Sequence, residues 1–283
     1  MINPWRAFDL VFFDCDSTLS QIEGIDELAR LKGLFNEVQR LTNAAMDGEV
    51  HLQSIYDRRL QLLRPSRGEM RRLERLYRQH IVPDAAEVLA ALRFLDKEVF
   101  IVSGGLFEAV APFGEWLGVP ADHVRAVEVS YDVLSGEWWN YEQDRWGRRL
   151  DVQYLDHNGG PLVETQGKAD VVRDLRGERV GRSVLVGDGV SDLAARPEVD
   201  RVIGFGGAVR RERVAAEADI FIDCNSLAPV LPLVTSPEER ACLLASTHEA
   251  LLKRGLALLA TDRVKFREEA HRRRALAGAE GSP

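Results

Sequence analysis

The sequence is poor in cysteine and has no long apolar run. Its three cysteines, Cys15, Cys224 and Cys242, are scattered and odd in number. They predict neither a disulfide framework nor a metal-binding cysteine pair. A membrane span is not expected, because about 18 consecutive apolar residues are needed and nowhere occur. Residues 1–6 lack the basic-then-apolar build of a signal peptide, so we expect a cytoplasmic location.

An excess of positive charge is also missing. The 283 residues include 37 Lys and Arg against 45 Asp and Glu, which gives a formal net charge of -8. A nucleic-acid partner is not expected, because nonspecific binding to nucleic acid needs a basic surface. The six histidines form no HExxH pattern, so a zinc site is not expected either. The composition is that of an ordinary soluble globular protein. The chain is long enough to form one large core and a smaller satellite domain.

The hydrophobic pattern predicts an α/β protein with a Rossmann-like parallel sheet. The run of residues 10–13 is short and apolar, which suits a strand buried on both faces. Helical periodicity then continues over residues 22–80, and strand-helix alternation resumes afterwards. We therefore predict a core of residues 1–21 and 81–231, a small helical domain of residues 22–80, and a helical C-terminal extension of residues 232–283 with a frayed tail from Arg272. The Trp-rich stretch 130–156 is expected to be a β-hairpin or an elaborated loop.

Polar residues follow three of the predicted strands. They are Asp14 and Asp16 after the first, Ser103 and Gly104 after the second, and Asp188 and Asp192 after the fourth. Because the carboxyl ends of parallel strands share one edge of a sheet, these residues can converge, and Lys168 can reach the same edge from the start of a helix. Carboxylate oxygens suit Mg²⁺, and the remaining donors suit a phosphoryl group. Taken alone, an aspartate after a strand is most often a turn residue or a helix cap, and a Ser-Gly-Gly segment is most often a turn.

In this order the residues resemble a known family. The matching segments are Asp14-Cys15-Asp16-Ser17-Thr18, Ser103-Gly104-Gly105, Lys168 and Gly187-Asp188-Gly189-Val190-Ser191-Asp192. They are similar to the four motifs of the haloacid dehalogenase superfamily of phosphatases. The segment Glu23-Gly24-Ile25-Asp26-Glu27-Leu28-Ala29 and the form of the second motif resemble the phosphoserine phosphatase family within it. The resemblance covers residues 8–230.

The resemblance implies roles for the residues of the motifs. Asp14 would be the nucleophile that forms an aspartyl-phosphate, and Asp16 the general acid and base. Mg²⁺ would be held by the Asp14 carboxylate, the Asp16 backbone carbonyl and the Asp188 carboxylate. The phosphoryl oxygens would be held by the Ser103 hydroxyl, the Gly104 N–H and the Lys168 ammonium.

Three further residues of the motifs would support the site. Asp192 would orient Lys168 or a metal-bound water, and Thr18 would assist. Ser191 stands where the family usually has asparagine, which puts one hydrogen bond near the metal in doubt.

The resemblance places substrate choice in the helical insertion, which corresponds to the family's cap. Glu23 would accept the substrate ammonium, Arg59 would pair with the carboxylate, and Met46 would pack against the small side chain. For Arg59 the alternative is a surface residue of a helix. For Glu23 it is a residue that the helix dipole favours near an N-terminus.

The resemblance therefore implies a Mg²⁺-dependent phosphomonoester hydrolase that converts O-phospho-L-serine to L-serine and phosphate. The partner is then a small phosphorylated metabolite. Two alternatives stay open: a phosphatase or phosphotransferase for another such metabolite, and a noncatalytic regulatory protein that binds Mg²⁺ or a phosphoryl group. The Leu-rich face of the C-terminal helices either packs on the core or pairs two subunits in a homodimer.

Overall fold

The computed structural model describes residues 7–46, 52–139, 141–164, 166–269, 271–272 and 275, and it leaves out the side chains of residues 42–46 and 52–54. The strands are β1 (Leu10–Phe13), β2 (Glu98–Leu106), β3 (Val124–Val127), β4 (Val129–Asp132), β5 (Gln153–His157), β6 (Ser183–Gly187), β7 (Arg201–Phe205), β8 (Ile220–Ile222) and β9 (Val264–Phe266). The α-helices are α1 (Gly24–Leu31), α2 (Phe35–Met46), α3 (Leu52–Leu63), α4 (Arg67–Gln79), α5 (Ala85–Phe94), α6 (Phe107–Trp116), α7 (Gly167–Arg176), α8 (Val190–Ala194), α9 (Glu212–Glu217), α10 (Val230–Val234), α11 (Pro237–Leu244) and α12 (Glu249–Leu259).

Seven strands form the main sheet in the order β3-β2-β1-β6-β7-β8-β9. The first six are parallel, and β9 runs antiparallel to β8. All four residues of β1 are buried, with Val11 and Phe13 in one core cluster and Leu10 and Phe12 in another. This burial on both faces explains the continuous apolar run, and the α/β prediction is confirmed. Because β1 lies where the strand order reverses, its carboxyl end opens into a crevice suited to a ligand.

The second strand is longer than predicted. The sequence predicts it over residues 99–102, but β2 continues to Leu106 through an irregularity in its pairing with β3. Ser103 and Gly104 therefore lie within the last part of the strand and not after it. The two glycines that follow Ser103 allow the backbone to depart from regular strand geometry at this point.

Helices α1 to α4 follow β1 as the helical periodicity predicts. Helix α4 begins with a capping box, in which Ser66 Oγ accepts from the Glu69 N–H and Glu69 accepts from the Ser66 N–H. Helices α1 and α4 come close at Gly24, where a Cβ atom would lie 2.3 Å from Tyr77 Oη. Glycine at this position lets the first helix approach the fourth, directly above the end of β1.

The Trp-rich stretch is built on the antiparallel pair β4 and β5, as expected. The turn between α3 and α4 and the first turn of α4 are hydrogen-bonded to this stretch. The Tyr154 N–H donates to the Pro65 carbonyl at 2.9 Å, and the Gly68 N–H donates to the Leu150 carbonyl at 2.8 Å. The hairpin therefore holds the helical insertion against the core.

The C-terminal extension packs on the core. Leu243, Leu252 and Leu259 are buried in the same cluster as β1 residues, which is the first of the two alternatives for its apolar face. Helices α10 to α12 agree with the predicted helical character, but strand β9 was not predicted. Residues 273, 274 and 276–283 of the predicted frayed tail lie outside the described residues. Fraying is wrong for Ala275, which is buried and whose carbonyl accepts from Arg240 Nη1 at 3.1 Å. None of the described helices has the length and apolar character needed to cross a bilayer.

Candidate active site

Asp14 and Asp16 occupy the end of β1. The Asp14 N–H donates to the Val186 carbonyl at 2.9 Å, which continues the pairing with β6 and fixes the first carboxylate beside that strand. The Gly24 N–H donates to Asp16 Oδ1 at 3.2 Å from the first turn of α1. Cys15 between them is fully buried, as the alternation of a strand predicts. One acid thus faces the core sheet and the other faces the helical insertion.

Lys168 lies between two buried carboxylates. Its Nζ is 3.1 Å from Asp14 Oδ2 and 2.7 Å from Asp192 Oδ1. Burial alone would lower the pKa of Lys168, but Asp14 and Asp192 outweigh it and raise that pKa above its ordinary value. The ammonium therefore stays charged and holds both acids in place. Gly187 makes room for this arrangement, since a Cβ atom there would lie 2.1 Å from Asp192 Cγ.

Three carboxylates lie close enough together to hold a metal ion. Asp14, Asp188 and Asp192 each place an oxygen within 4.8 Å of the others, and all three are buried. Burial raises the pKa of Asp14 well above its usual range. The charges of Asp192 and Asp188 add to this increase, and the charge of Lys168 opposes it. Burial and the charges of Asp192 and Glu23 raise the pKa of Asp188 to about 7. An oxygen-rich, mutually repelling donor set of this kind fits a hard divalent cation such as Mg²⁺.

The second strand brings a hydroxyl and two glycines to the same edge. Ser103 is fully buried, and its Oγ accepts from the Gly105 N–H at 3.0 Å. The Gly104 carbonyl accepts from the hydroxyl of Tyr56, a residue of α3, at 3.0 Å. A Cβ atom at Gly105 would lie 3.1 Å from Asp16 Oδ2, so the last part of β2 comes close to the acids that follow β1.

Glu23 and Arg211 form a link that the sequence did not predict. Glu23 Oε1 accepts from Ser17 Oγ at 2.8 Å and from Arg211 Nη2 at 3.1 Å. The Arg211 Nε donates to Asp188 Oδ2 at 2.8 Å. Arg211 thus joins the carboxylate cluster to the entrance of the helical insertion. The only sequence signal is an Arg-Arg pair before a short helix, which by itself indicates a solvated surface.

The remaining predicted residues lie around this group. Thr18 Oγ1 donates to Asp188 Oδ1 at 3.4 Å, and Ser191 is half-buried in the first turn of α8. Arg59 is half-buried, and burial lowers its pKa while Tyr56, Asp26 and Glu23 oppose that change. The side chain of Met46 lies outside the described residues.

The environment of Asp16 suits a proton donor. Burial and then the nearby charge of Glu23 raise the pKa of Asp16 to about 8. A carboxyl with a pKa near neutrality can give up a proton and take one back. The site therefore combines a carboxylate fixed by an ammonium, a second carboxyl that can carry a proton, a donor set for a divalent cation and a buried hydroxyl.

Comparisons with known proteins agree with this chemistry. The family model of haloacid dehalogenase-like hydrolases matches residues 11–195. Phosphoserine phosphatase from Bos taurus is 33% identical over 221 residues, covering 78% of this chain and 91% of the relative. The Homo sapiens phosphoserine phosphatase is 32% identical over 215 residues, covering 76% of this chain and 88% of the relative.

A solved structure is also similar. The phospho-aspartyl intermediate analogue of a phosphoserine phosphatase matches with a TM-score of 0.62 and 25% identity, covering 81% of this chain and 100% of that one. The chain belongs to the haloacid dehalogenase-like hydrolases and is a hydrolase. Within that family it is similar to phosphoserine phosphatases over most of its length.

Proposed function

We propose that this protein is a Mg²⁺-dependent phosphomonoesterase that hydrolyses O-phospho-L-serine to L-serine and phosphate. The observation that carries the proposal is the pairing of Asp14 with Lys168 at the end of β1. Asp16 lies two residues further along the chain, and its raised pKa suits a group that gives and takes a proton. Similarity to phosphoserine phosphatases over 78% of the chain supports the choice of substrate class.

In the proposed reaction, a carboxylate oxygen of Asp14 attacks phosphorus, and the bond from phosphorus to the serine oxygen breaks. Asp16 gives its proton to the departing oxygen, which yields the L-serine hydroxyl and an aspartyl-phosphate. Asp16, now ionised, takes a proton from a water molecule as that water attacks phosphorus. The phosphoryl group leaves as phosphate, and the Asp14 carboxylate is regenerated. The raised pKa of Asp16 supports this alternation between donor and acceptor.

The other polar residues would hold the phosphoryl group during transfer. The Ser103 hydroxyl, the Gly104 N–H and the Lys168 ammonium supply donors where negative charge shifts, and one such donor is typically worth about 3 kcal/mol of transition-state stabilisation. Asp14, Asp188 and the Asp16 carbonyl would hold Mg²⁺, with Asp192 keeping Lys168 in place. Bound Mg²⁺ would supply Lewis-acid stabilisation of the phosphoryl oxygens.

Substrate recognition would come from the cap, residues 22–80, above a catalytic core of residues 1–21 and 81–231. Glu23 faces the site with a side chain that is 42% exposed and can accept the substrate ammonium. Arg59 would pair with the substrate carboxylate, and Met46 would pack against its methylene. The C-terminal extension, residues 232–283, would stabilise the core.

Two further parts of the proposal concern setting and assembly. The scarcity of cysteine supports a cytoplasmic location. A homodimer is also proposed, although the leucines that suggested it are buried against the core, so a dimer would need another surface. Light scattering of the full chain tests its assembly state.

A substrate panel tests the proposed function. Purified protein with Mg²⁺ should release phosphate from O-phospho-L-serine well above an Asp14→Asn control. Arg59→Ala should lower kcat/KM for phosphoserine at least about 30-fold, because losing a charge pair to the carboxylate costs about 2 kcal/mol or more. Activity on 4-nitrophenyl phosphate should persist in that variant. Arg58→Ala, at an exposed neighbouring position, is the matched control.

Two outcomes would contradict the proposal. Equal losses on both substrates in Arg59→Ala would favour a phosphatase or phosphotransferase for another small phosphate ester. Phosphate release no higher than that of Asp14→Asn on every ester tested would favour a noncatalytic role.

A further inference from the structure

Tyr56 reaches from the helical insertion to residues 103–105, the irregular last part of β2, which we call the phosphate-binding loop. It lies on α3, is only 6% exposed, and its hydroxyl donates to the Gly104 carbonyl at 3.0 Å. That carbonyl belongs to the same planar peptide unit as the Gly105 N–H. The Gly105 N–H donates in turn to Ser103 Oγ at 3.0 Å. One peptide unit is therefore held at its oxygen by Tyr56 and at its nitrogen by Ser103.

This peptide needs an external restraint. It joins two glycines, which resist rotation of the peptide plane less than other residues do. When its N–H points at Ser103, the serine oxygen is occupied as an acceptor, and the serine proton is left to donate to a phosphoryl oxygen. Rotation of the peptide would remove that N–H and free Ser103 to turn its hydroxyl elsewhere. The Tyr56 hydroxyl opposes this rotation from the carbonyl side.

Tyr56 is itself fixed by a contact with the core. The ring of His157, at the end of β5, meets the Tyr56 ring edge-on at a centroid distance of 5.6 Å. Asp57, the next residue of α3, pairs with His157 Nε2. The Gly159 N–H donates to His157 Nδ1 at 3.0 Å, which leaves Nε2 to donate to Asp57. Helix α3 is thus attached to the core beside the loop that Tyr56 contacts.

We propose that Tyr56 is a positioning residue for the reaction. By orienting the Gly104–Gly105 peptide it sets the Ser103 hydroxyl toward the phosphoryl group, so that the phosphate-binding loop is complete only while α3 lies over it. The proposal rests on the proposed function for the role of Ser103. It gives the helical insertion a part in the phosphoryl chemistry besides the recognition of the substrate's amino and carboxyl groups.

The test is a double-mutant cycle of Tyr56→Phe and Ser103→Ala. Tyr56→Phe should lower kcat about five- to tenfold, the worth of one neutral hydrogen bond, with KM for phosphoserine nearly unchanged. In the Ser103→Ala background the same substitution should lower kcat less than about twofold, because Tyr56 acts through Ser103. Tyr154→Phe is the matched control. Tyr154 is buried, and its hydroxyl has no hydrogen-bond partner in the part of the chain that the structure describes.

Two results would overturn the inference. One is a Tyr56→Phe variant with the kcat of the wild-type protein. The other is a loss that is equally large with and without Ser103, since that would indicate a merely structural role.

The same double-mutant cycle can be measured without turnover, as the affinity of each variant for inorganic phosphate. Calorimetry in the presence of Mg²⁺ gives that affinity. Tyr56→Phe should weaken phosphate binding in the wild-type background and leave it nearly unchanged in Ser103→Ala. An equal effect in both backgrounds would overturn the inference. Failure of phosphoserine as a substrate would therefore refute the proposed function separately from the role of Tyr56.

Discussion

Replacing Lys168 by methionine should lower both the stability and the activity of the protein, and a second substitution should separate the two effects. The side chain is 3% exposed and is the cation that lies between Asp14 and Asp192. Removing one partner of a buried ion pair costs about 3–5 kcal/mol, because a buried charge is left uncompensated. At about 2–4 °C per kcal/mol for chains of this order of length, the Tm should fall by about 6–20 °C. The activity should fall about 100- to 1,000-fold, because the proposed donor to the phosphoryl group is also lost.

The assay is thermal unfolding in EDTA, where no cation stands in for the ammonium, together with phosphate release in Mg²⁺. Adding Asp192→Asn to Lys168→Met removes one of the two charges that Lys168 had paired with, while the amide oxygen can still accept from the Gly189 N–H. The double variant should therefore regain part of the lost Tm and none of the lost activity. A single variant as stable as the wild-type protein, or a double variant less stable than the single one, would refute this account of the charge network.

Three further predictions follow from the carboxylate cluster. Arg211→Gln should lower the Mg²⁺ concentration needed for half-maximal activity about two- to fivefold. The Arg211 guanidinium competes with Mg²⁺ for the Asp188 carboxylate, and a partly exposed ion pair is worth about 0.5–1 kcal/mol. Arg210→Gln is the control, and an increased Mg²⁺ requirement would contradict the prediction. Gly187→Ala should lower kcat about 100-fold or more, because its Cβ atom would displace the Asp192 carboxylate and with it the Lys168 ammonium; wild-type kcat would refute that reasoning. Chelation with EDTA should abolish phosphate release and Mg²⁺ should restore it, so activity that survives exhaustive chelation would contradict a metal-dependent site.

Much of the candidate site could be predicted because its side chains lie in short segments at strand ends. Asp14 and Asp16 follow a strand whose apolar run is unmistakable, and parallel topology places Asp188 beside them without knowledge of any loop. Lys168 could be predicted for a similar reason, since it begins a helix that leads into the neighbouring strand β6.

The residues that sequence reasoning missed depend on distant parts of the chain. Arg211 contacts Glu23 across 188 positions, and Tyr56 contacts Gly104 across 48. Neither lies in a motif, and each has the appearance of an ordinary helix or surface residue. Strand β9 was missed because three residues are too few to show a period of two. In each case the deciding information is tertiary packing, which local patterns do not contain.

The central claim is that Asp14 carries the phosphoryl group during turnover, and a rapid acid quench tests it most directly. Wild-type protein mixed with O-phospho-L-serine and Mg²⁺ is quenched within the first turnover, digested and examined by mass spectrometry. We expect one added phosphoryl group on the peptide that contains Asp14, and none on the corresponding peptide of Asp14→Asn. Phosphate release without any phosphoryl group on that peptide would contradict it.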